Sequence, residues 1–172
     1  MRASNWNTYK GDIWDLSKSY IIVIPTNLLG VMGRGLTKQA ADKYIDLELW
    51  YRQALRYWDG HELLLYNCIE SHRKLAMFPV KYDWRQTANL DLIRRSAIML
   101  KQYILQNKYV SVALPQVGCG FGELEWEDVK IRLQRHLGPV KENIVFVEPT
   151  DKLIKKYPKA FMAGAKKDRL NA

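Results

Sequence analysis

The stretch Tyr20–Gln39, which reads Y-I-I-V-I-P-T-N-L-L-G-V-M-G-R-G-L-T-K-Q, organises the rest of the chain. It begins with Tyr20–Ile24, an apolar run without polar alternation. Such a run predicts a strand buried on both faces, as in a parallel sheet under helices. Pro25 is expected to end this strand because proline cannot donate to a sheet, and Thr26-Asn27 then begin a turn.

A glycine loop follows this strand, and a helical pattern opens at Leu36. The loop glycines fall within six positions, at Gly30, Gly33 and Gly35. A loop between a strand and a helix can present backbone N–H groups to a phosphate, because glycine permits close approach and the helix N-terminus carries partial positive charge. The alternative is a tight turn without a ligand. The spacing matches neither the dinucleotide fingerprint nor a P-loop, so hydrolysis of a nucleotide by a P-loop is not expected.

Composition places the chain among globular proteins. With 172 residues, 48% apolar content and six Trp, one domain with a proper core is the default. No apolar run approaches the length of a membrane span, and the N-terminus lacks the apolar core of a signal peptide. We therefore expect a cytoplasmic protein that does not enter a membrane.

Charge and cysteine usage narrow the expected partners. Lys and Arg number 27 against 18 Asp and Glu, and the net charge of +9 attracts polyanions such as nucleic acid. Residues 151–172 are predicted to form a basic C-terminal extension with a frayed, solvated end. The two cysteines, Cys68 and Cys119, and the three scattered histidines predict neither a disulfide scaffold nor a metal site.

Strand and helix patterns alternate along the rest of the chain. Strands are predicted at 6–9, 62–69, 75–78, 109–114 and 143–147, with Pro79 ending the third and Pro115 the fourth. Helices are predicted after Leu36, from Leu47 to near Gly60, and over 89–107. A last helix carries Trp126, Val129, Leu133 and Leu137.

A second glycine loop, Gln116–Glu123, also lies between a buried strand and a helix. Both loops follow the C-terminal ends of strands, where open α/β sheets bind their ligands. The order of elements predicts a three-layer α/β sandwich formed by residues 1–150. Two glycine loops at one edge of the sheet could clamp a pyrophosphate, which favours a diphosphate-containing ligand over plain turns.

Three separated motifs resemble those of the macrodomains, a family that binds ADP-ribose. They are G-D-I at 11–13, P-T-N with G-V-M-G-R-G-L at 25–36, and L-P-Q-V-G-C-G-F-G-E-L at 114–124. The motifs occur in the family's order and span the chain from about Gly11 to Glu148. The resemblance implies a three-layer α/β/α macrodomain sandwich around a central mixed, largely parallel sheet, with ADP-ribose as the ligand and no cofactor.

The resemblance also implies roles for individual residues. Asp12 would accept a hydrogen bond from the adenine amino group with Ile13 beside the ring, and residues 146–149 would flank the adenine. Asn27 would face the distal ribose and take part in catalysis. Backbone at 30–36 and 118–123 would hold the two phosphates. The remaining ligand-binding positions implied are Thr26, Gly30, Val31, Met32, Gly33, Arg34, Gly35, Leu36, Pro115, Val117, Gly118, Cys119, Gly120, Phe121, Gly122 and Glu123.

The segment F-P-V-K-Y-D-W at 78–84 narrows the resemblance to one branch of the family. It is similar to the F-P-T-K-x-x-W segment of the DNA ADP-ribosyl glycohydrolases, the antitoxin macrodomains called DarG. The motif G-V-M-G-R-G-L and the L-E-W after the second loop are typical of the same branch. The resemblance implies that Lys81, expected on a loop, is catalytic. It could attack the anomeric carbon as an amine or stabilise charge as an ammonium.

Two departures from the family pattern bear on the substrate. The related terminal ADP-ribose protein glycohydrolase has aspartate where this chain has Gly122, whereas the DNA-directed branch has glycine. Val80 replaces the usual threonine before the lysine. The neighbouring Glu123 could supply a carboxylate, although nothing in the sequence directs it inward.

The expected function is removal of ADP-ribose from a modified nucleobase, most plausibly a thymidine of single-stranded DNA, by a monomeric antitoxin enzyme. One alternative is hydrolysis of protein-linked ADP-ribose or of ADP-ribose 1″-phosphate in the same cavity. Another is a reader that binds ADP-ribose without turnover. Turnover on each conjugate, and the effect of removing Lys81, would separate these hypotheses.

Overall fold

The computed structural model describes residues 5–161, in which six strands form one sheet. The strand order is β1-β6-β5-β2-β4-β3, and neighbours run parallel except β3 and β4. The prediction of a mixed, largely parallel sheet is therefore confirmed. The strands are β1 Asn7–Lys10, β2 Tyr20–Asn27, β3 Leu64–Cys68, β4 Arg73–Lys81, β5 Ser111–Leu114 and β6 Ile144–Glu148.

Helices cover both faces of this sheet. The helices are α1 Gly35–Lys43, α2 Leu47–Tyr57, α3 Leu90–Gln106, α4 Trp126–Leu137, α5 Asp151–Lys156 and α6 Pro158–Phe161. The side chains of α3 and α4 pack on one face, and those of α1 and α2 pack on the other, which confirms the three-layer sandwich. Short 3₁₀ segments occupy Ile13–Asp15 and Gly138–Asn143.

The central strand β2 is buried on both faces, as its apolar run predicts. Ile21 and Val23 belong to the core under α3 and α4, whereas Ile22 and Ile24 belong to the core under α1 and α2. The alternation follows from the two-residue period of a strand. Each such side chain contributes about 1.5–3 kcal/mol by leaving water, so β2 anchors both cores.

Two strands continue past the prolines that the sequence predicts as their ends. β2 runs through Pro25 and β4 runs through Pro79. β5 pairs with β2 only as far as Ile22, and β3 pairs with β4 only as far as Met77. Each proline therefore has a strand partner on one side only, where a missing N–H is tolerated. As a consequence, Lys81 is the last residue of a buried strand and does not lie on a loop.

Tyr51 of α2 fixes the end of β2. Its buried hydroxyl donates to the Asn27 carbonyl at 3.0 Å and lies 2.9 Å from Thr26 Oγ1. Because the tyrosine proton is already engaged, the Thr26 hydroxyl is the donor in the second bond. Burial raises the pKa of Tyr51, so this group stays protonated. The last two residues of β2 are thus held by a helix from another part of the chain.

Residues 151–161 correct the prediction of a frayed, solvated end. They form α5 and α6, and α6 lies against α1. The Thr150 hydroxyl caps α5 by accepting from the Leu153 N–H at 3.2 Å. The remainder of the predicted extension, 162–172, lies outside the described residues. Within 5–161, no helix combines the length and apolarity needed to cross a membrane.

Removing the Tyr51 hydroxyl tests how β2 is held. We expect Tyr51→Phe to lower the free energy of unfolding by about 1–3 kcal/mol, because the buried Asn27 carbonyl and Thr26 hydroxyl lose their partner. Urea denaturation measures this change. Tyr57→Phe on the same helix is the matched control, since Tyr57 is 90% exposed. Equal stability of the two variants would contradict the assignment.

Candidate functional site

A cavity of about 460 Å³ opens at the carboxyl ends of the parallel strands. Its size is within the range of small-molecule sites. The lining comes from residues 11–13 after β1, from the ends of β2, β4 and β6, and from both glycine loops. The two loops that the sequence places at one edge of the sheet therefore meet around one cavity.

Most residues predicted to bind a ligand line this cavity. Gly30, Met32, Val117 and Glu123 do not. Met32 and Val117 point into the hydrophobic core, and Gly30 packs against Arg52. Those that do line it are Asp12, Ile13, Thr26, Asn27, Val31, Gly33, Arg34, Gly35, Leu36, Lys81, Pro115, Gly118, Cys119, Gly120, Phe121 and Gly122.

Part of the lining was not assigned from the sequence. Val147 and Pro149 line the cavity within the predicted 146–149 range, whereas Phe146 faces the opposite core between Trp6 and Trp126. The unassigned lining residues are Gly11, Pro25, Thr37, Gln39, Val80, Trp84, Gln116, Leu153, Tyr157 and Phe161. The last three recur every fourth residue, so their helical spacing was the signal that could have found them.

Asn27 shapes the first glycine loop. Its Nδ2 donates to the Val31 carbonyl at 2.7 Å, and its Oδ1 accepts from the N–H groups of Leu29 and Val31, each at 3.1 Å. These three bonds close the turn that leaves β2. The side chain lines the cavity but is only 8% exposed, so its main contacts are with the loop itself.

Two charged residues of α2 hold the same loop from behind. The Glu48 carboxylate accepts from the Met32 N–H at 2.7 Å, and Arg52 Nε donates to the Gly30 carbonyl at 3.1 Å. Glu48 and Arg52 also pair with each other at 3.3 Å. The loop is therefore preorganised by side chains that sequence reasoning assigned no role.

The second glycine loop folds back on itself too tightly for a side chain at Gly122. A Cβ there would lie 2.3 Å from the Gly118 carbonyl oxygen and 2.8 Å from Ala88 Cβ. Backbone bonds fix this arrangement, because Ala88 N donates to the Gly122 carbonyl at 2.9 Å and Leu124 N donates to the Gly118 carbonyl at 3.0 Å. Gly118 itself has φ +76, a conformation that favours glycine.

Lys81 reaches the cavity from the end of β4. Its Nζ donates to the Phe121 carbonyl at 3.0 Å and to the Trp84 carbonyl at 3.4 Å. Burial lowers the pKa of Lys81 below its ordinary value of 10.5, and the nearby Arg34 lowers this pKa further, while Glu123 opposes both effects. The site therefore favours the neutral amine more than water does.

Arg34 connects three segments around Lys81. Its guanidinium lies 5.3 Å from the centroid of the Trp84 ring and 5.4 Å from that of Phe121. These are cation–π distances. The first loop, the segment after β4 and the second loop are thus joined by one side chain at the mouth of the cavity.

Two other groups at the cavity have limited chemical roles. Burial raises the pKa of Cys119 to about 12, and its thiol donates to the Val117 carbonyl at 3.3 Å, so it is not a thiolate nucleophile. One oxygen of Asp12 accepts from the Trp14 N–H at 3.0 Å. Among residues 5–161, no group of three or more His, Cys, Asp or Glu is arranged to hold a metal ion.

Known proteins are similar to this chain in sequence and in fold. The DNA ADP-ribosyl glycohydrolase of Mycobacterium tuberculosis is 31% identical over 116 residues, which cover 65% of this chain and 33% of that protein. The macrodomain of Mycobacterium tuberculosis DarG superposes with a TM-score of 0.73 at 26% identity, over 84% of this chain and 97% of that one. The chain has the macrodomain fold.

A third similarity concerns a liganded structure. Thermosipho africanus DarTG in complex with ADP-ribose matches this macrodomain with a TM-score of 0.67 at 22% identity, over 79% of this chain and 39% of that one. The macrodomain spans between 33% and 44% of the length of the curated relatives it matches. No protein-family model matches the chain.

The packing at Gly122 predicts that alanine substitutions at Gly122 and at Gly138 affect the stability of the protein differently. Gly122→Ala is expected to lower the free energy of unfolding by about 1–3 kcal/mol, because its methyl group would overlap backbone atoms. Gly138→Ala should be neutral or stabilise by up to ~1 kcal/mol. Gly138 has helical dihedrals, and a methyl group added there would meet nothing within 4 Å. Urea denaturation measures the free energy of unfolding of each variant. Equal stability of Gly122→Ala and Gly138→Ala would refute the packing argument.

Proposed function

We propose that this macrodomain binds ADP-ribose and releases it from a modified nucleobase of DNA by hydrolysis. The observation that carries the proposal is the position of Lys81. A buried lysine with a lowered pKa lies in the same cavity as two preorganised glycine loops, and its Nζ is fixed by two backbone carbonyls. Perturbed lysines in such cavities are candidates for catalysis.

The cavity supports one orientation of ADP-ribose. The diphosphate would lie between the two loops, whose glycines permit close approach of the backbone. The adenine would lie beside Ile13, Val147 and Pro149, which line one end of the cavity. Within 5–161, Asp12 Oδ2 makes no hydrogen bond and is free to accept from the adenine amino group. The distal ribose would then lie at the Lys81 end, beside Asn27.

The contacts of Lys81 favour its action as an amine. A neutral amine has two N–H bonds, and Nζ has two carbonyl acceptors, Phe121 and Trp84. With both hydrogens engaged, the lone pair is left to attack the anomeric carbon of the distal ribose. The bond from that carbon to the base breaks, the base leaves with its electron pair and takes up a proton, and water then displaces the lysine to complete hydrolysis.

Two features favour DNA over protein as the carrier of the ADP-ribose. The loop has no room for a side chain at Gly122, so it cannot hold the aspartate that the resemblance assigns to the protein-directed relative. The net charge of +9 attracts polyanions. Relatives named DNA ADP-ribosyl glycohydrolase share this chain's sequence at 28–31% identity. Reversal of a toxin's modification of DNA would make the protein an antitoxin.

Release of ADP-ribose from an ADP-ribosylated single-stranded oligonucleotide tests this function. The intact protein should release free ADP-ribose. Lys81→Ala should slow release about a hundredfold or more, the scale on which loss of one catalytic group acts. Chromatography with mass detection measures the product.

A matched control is Lys38→Ala, which removes an exposed lysine that pairs with Asp42 on α1. It should release ADP-ribose at the rate of the intact protein. Free ADP-ribose affinity of Lys81→Ala, measured by calorimetry, shows that the cavity is still formed. Binding of ADP-ribose without release from DNA would overturn the enzymatic proposal, and release from a protein conjugate alone would select the other hydrolase.

The lowered pKa of Lys81 predicts a pH profile. If the amine is the active form, kcat/KM should rise with pH through the pKa of Lys81, which burial and Arg34 hold below 10.5 in the free protein, and level off above that pKa. Arg34→Gln removes a nearby positive charge, which raises the pKa of Lys81 and moves the rising limb to higher pH. The profile is measured at substrate concentrations well below KM, because kcat/KM reports the pKa of the free enzyme.

The control for this profile is Arg56→Gln, an equal change of charge on the exposed face of α2. It should leave the pH profile in place. A kcat/KM that falls as pH rises through the same range would mean that the ammonium is the active form of Lys81.

A further inference from the structure

The segment after β4 carries two aromatic side chains to the surface. Tyr82 is 43% exposed and Trp84 is 37% exposed. Trp84 also lines the cavity, so its indole lies at the rim where solvent and cavity meet.

Trp84 is held next to the proposed reaction centre. Its own carbonyl accepts from Lys81 Nζ at 3.4 Å. Its ring is braced by Arg34, whose guanidinium also lies over Phe121. The orientation of the indole is therefore coupled to both the lysine and the second glycine loop.

Charge near the ring suits an anionic chain. The Arg85 guanidinium lies 5.5 Å from the Trp84 centroid and is exposed, and it pairs with Asp83 at 2.7 Å. Arg85 Nε also donates to Asp83 at 3.0 Å, so the two charges offset each other and a phosphate would compete with Asp83 for Arg85. An exposed ring flanked by Arg34 and Arg85 combines the two features by which proteins bind single-stranded nucleic acid, a stacking surface and cationic side chains.

We propose that Trp84 forms a stacking platform for the nucleobase that carries the ADP-ribose. The proposal rests on the proposed function, in which the distal ribose lies at Lys81. A base joined to that ribose would emerge at the rim of the cavity, where the indole lines the wall and reaches solvent. Arg85 is placed to meet an adjacent phosphate of the same strand.

The position of the platform implies a preference for single strands. A base that stacks on Trp84 has left its neighbours and its pairing partner, which costs energy in a duplex and little in a single strand. Every base has a flat π-face, so the platform would tolerate different bases. It would also distinguish a base from a carboxylate or phosphate, which has no ring to stack.

The test compares two ligands in a protein that cannot consume them. In a Lys81→Gln background, which lacks the amine, an ADP-ribosylated single-stranded oligonucleotide should bind more tightly than free ADP-ribose. Adding Trp84→Ala should remove about a tenfold or greater advantage, and Trp84→Phe should keep most of it. Affinity for free ADP-ribose should fall by less than affinity for the oligonucleotide, because Trp84 also lines the cavity, so the ratio of the two affinities is the quantity that decides. Fluorescence anisotropy and calorimetry measure the two affinities.

Tyr109→Ala is the control, because Tyr109 is a fully exposed aromatic residue before β5 and does not line the cavity. It should leave both affinities unchanged. The platform is refuted if the oligonucleotide has no advantage over free ADP-ribose, or if Trp84→Ala weakens both ligands equally. If the advantage is present but the protein with Lys81 releases no ADP-ribose, the platform stands and the proposed hydrolysis fails.

Discussion

Two hydrogen bonds of Lys81 link two of the segments that form the wall of the cavity. One side chain at the end of β4 joins its own following segment, through the Trp84 carbonyl, to the second glycine loop, through the Phe121 carbonyl. The same nitrogen lies in a buried site next to Arg34, which lowers its pKa. Structural and chemical demands on this lysine therefore coincide, since the bonds that connect the segment after β4 to the second glycine loop also orient its nitrogen.

The first glycine loop is held by other side chains. Its shape depends on Asn27 at the end of β2 and on Glu48, Tyr51 and Arg52 of α2. Side chains thus bond to the N–H groups of Leu29, Val31 and Met32 and to the carbonyls of Gly30 and Val31. Preorganisation of this kind lowers the cost of ordering a loop when a ligand binds. Helix α2 contributes to the site although none of its residues lines the cavity.

The arrangement of strands and helices was predictable because the periodic patterns are long. The apolar run of β2 has both faces buried, and the helix predicted over 89–107 is α3 with Asn89 and Asn107 as its caps. The prediction that Pro25 and Pro79 end their strands was wrong, because a proline destabilises a strand only where a neighbouring strand needs its missing N–H. Pro25 and Pro79 lie beyond the ends of neighbouring strands, which only the sheet register shows.

Parts of the site also could not be predicted from local sequence. The bond between Glu48 and the Met32 N–H joins residues 16 positions apart in the chain. Met32 lies in a motif that resembles the family's ligand-binding loop, but its side chain packs in the core.

A crystal structure of the protein with bound ADP-ribose would decide whether the ligand lies as proposed. We expect the diphosphate between the two glycine loops, the adenine beside Asp12, and the anomeric carbon of the distal ribose within reach of Lys81 Nζ. An adenine bound at Lys81, or a ligand bound outside the cavity, would contradict the proposed orientation and with it the role of Lys81.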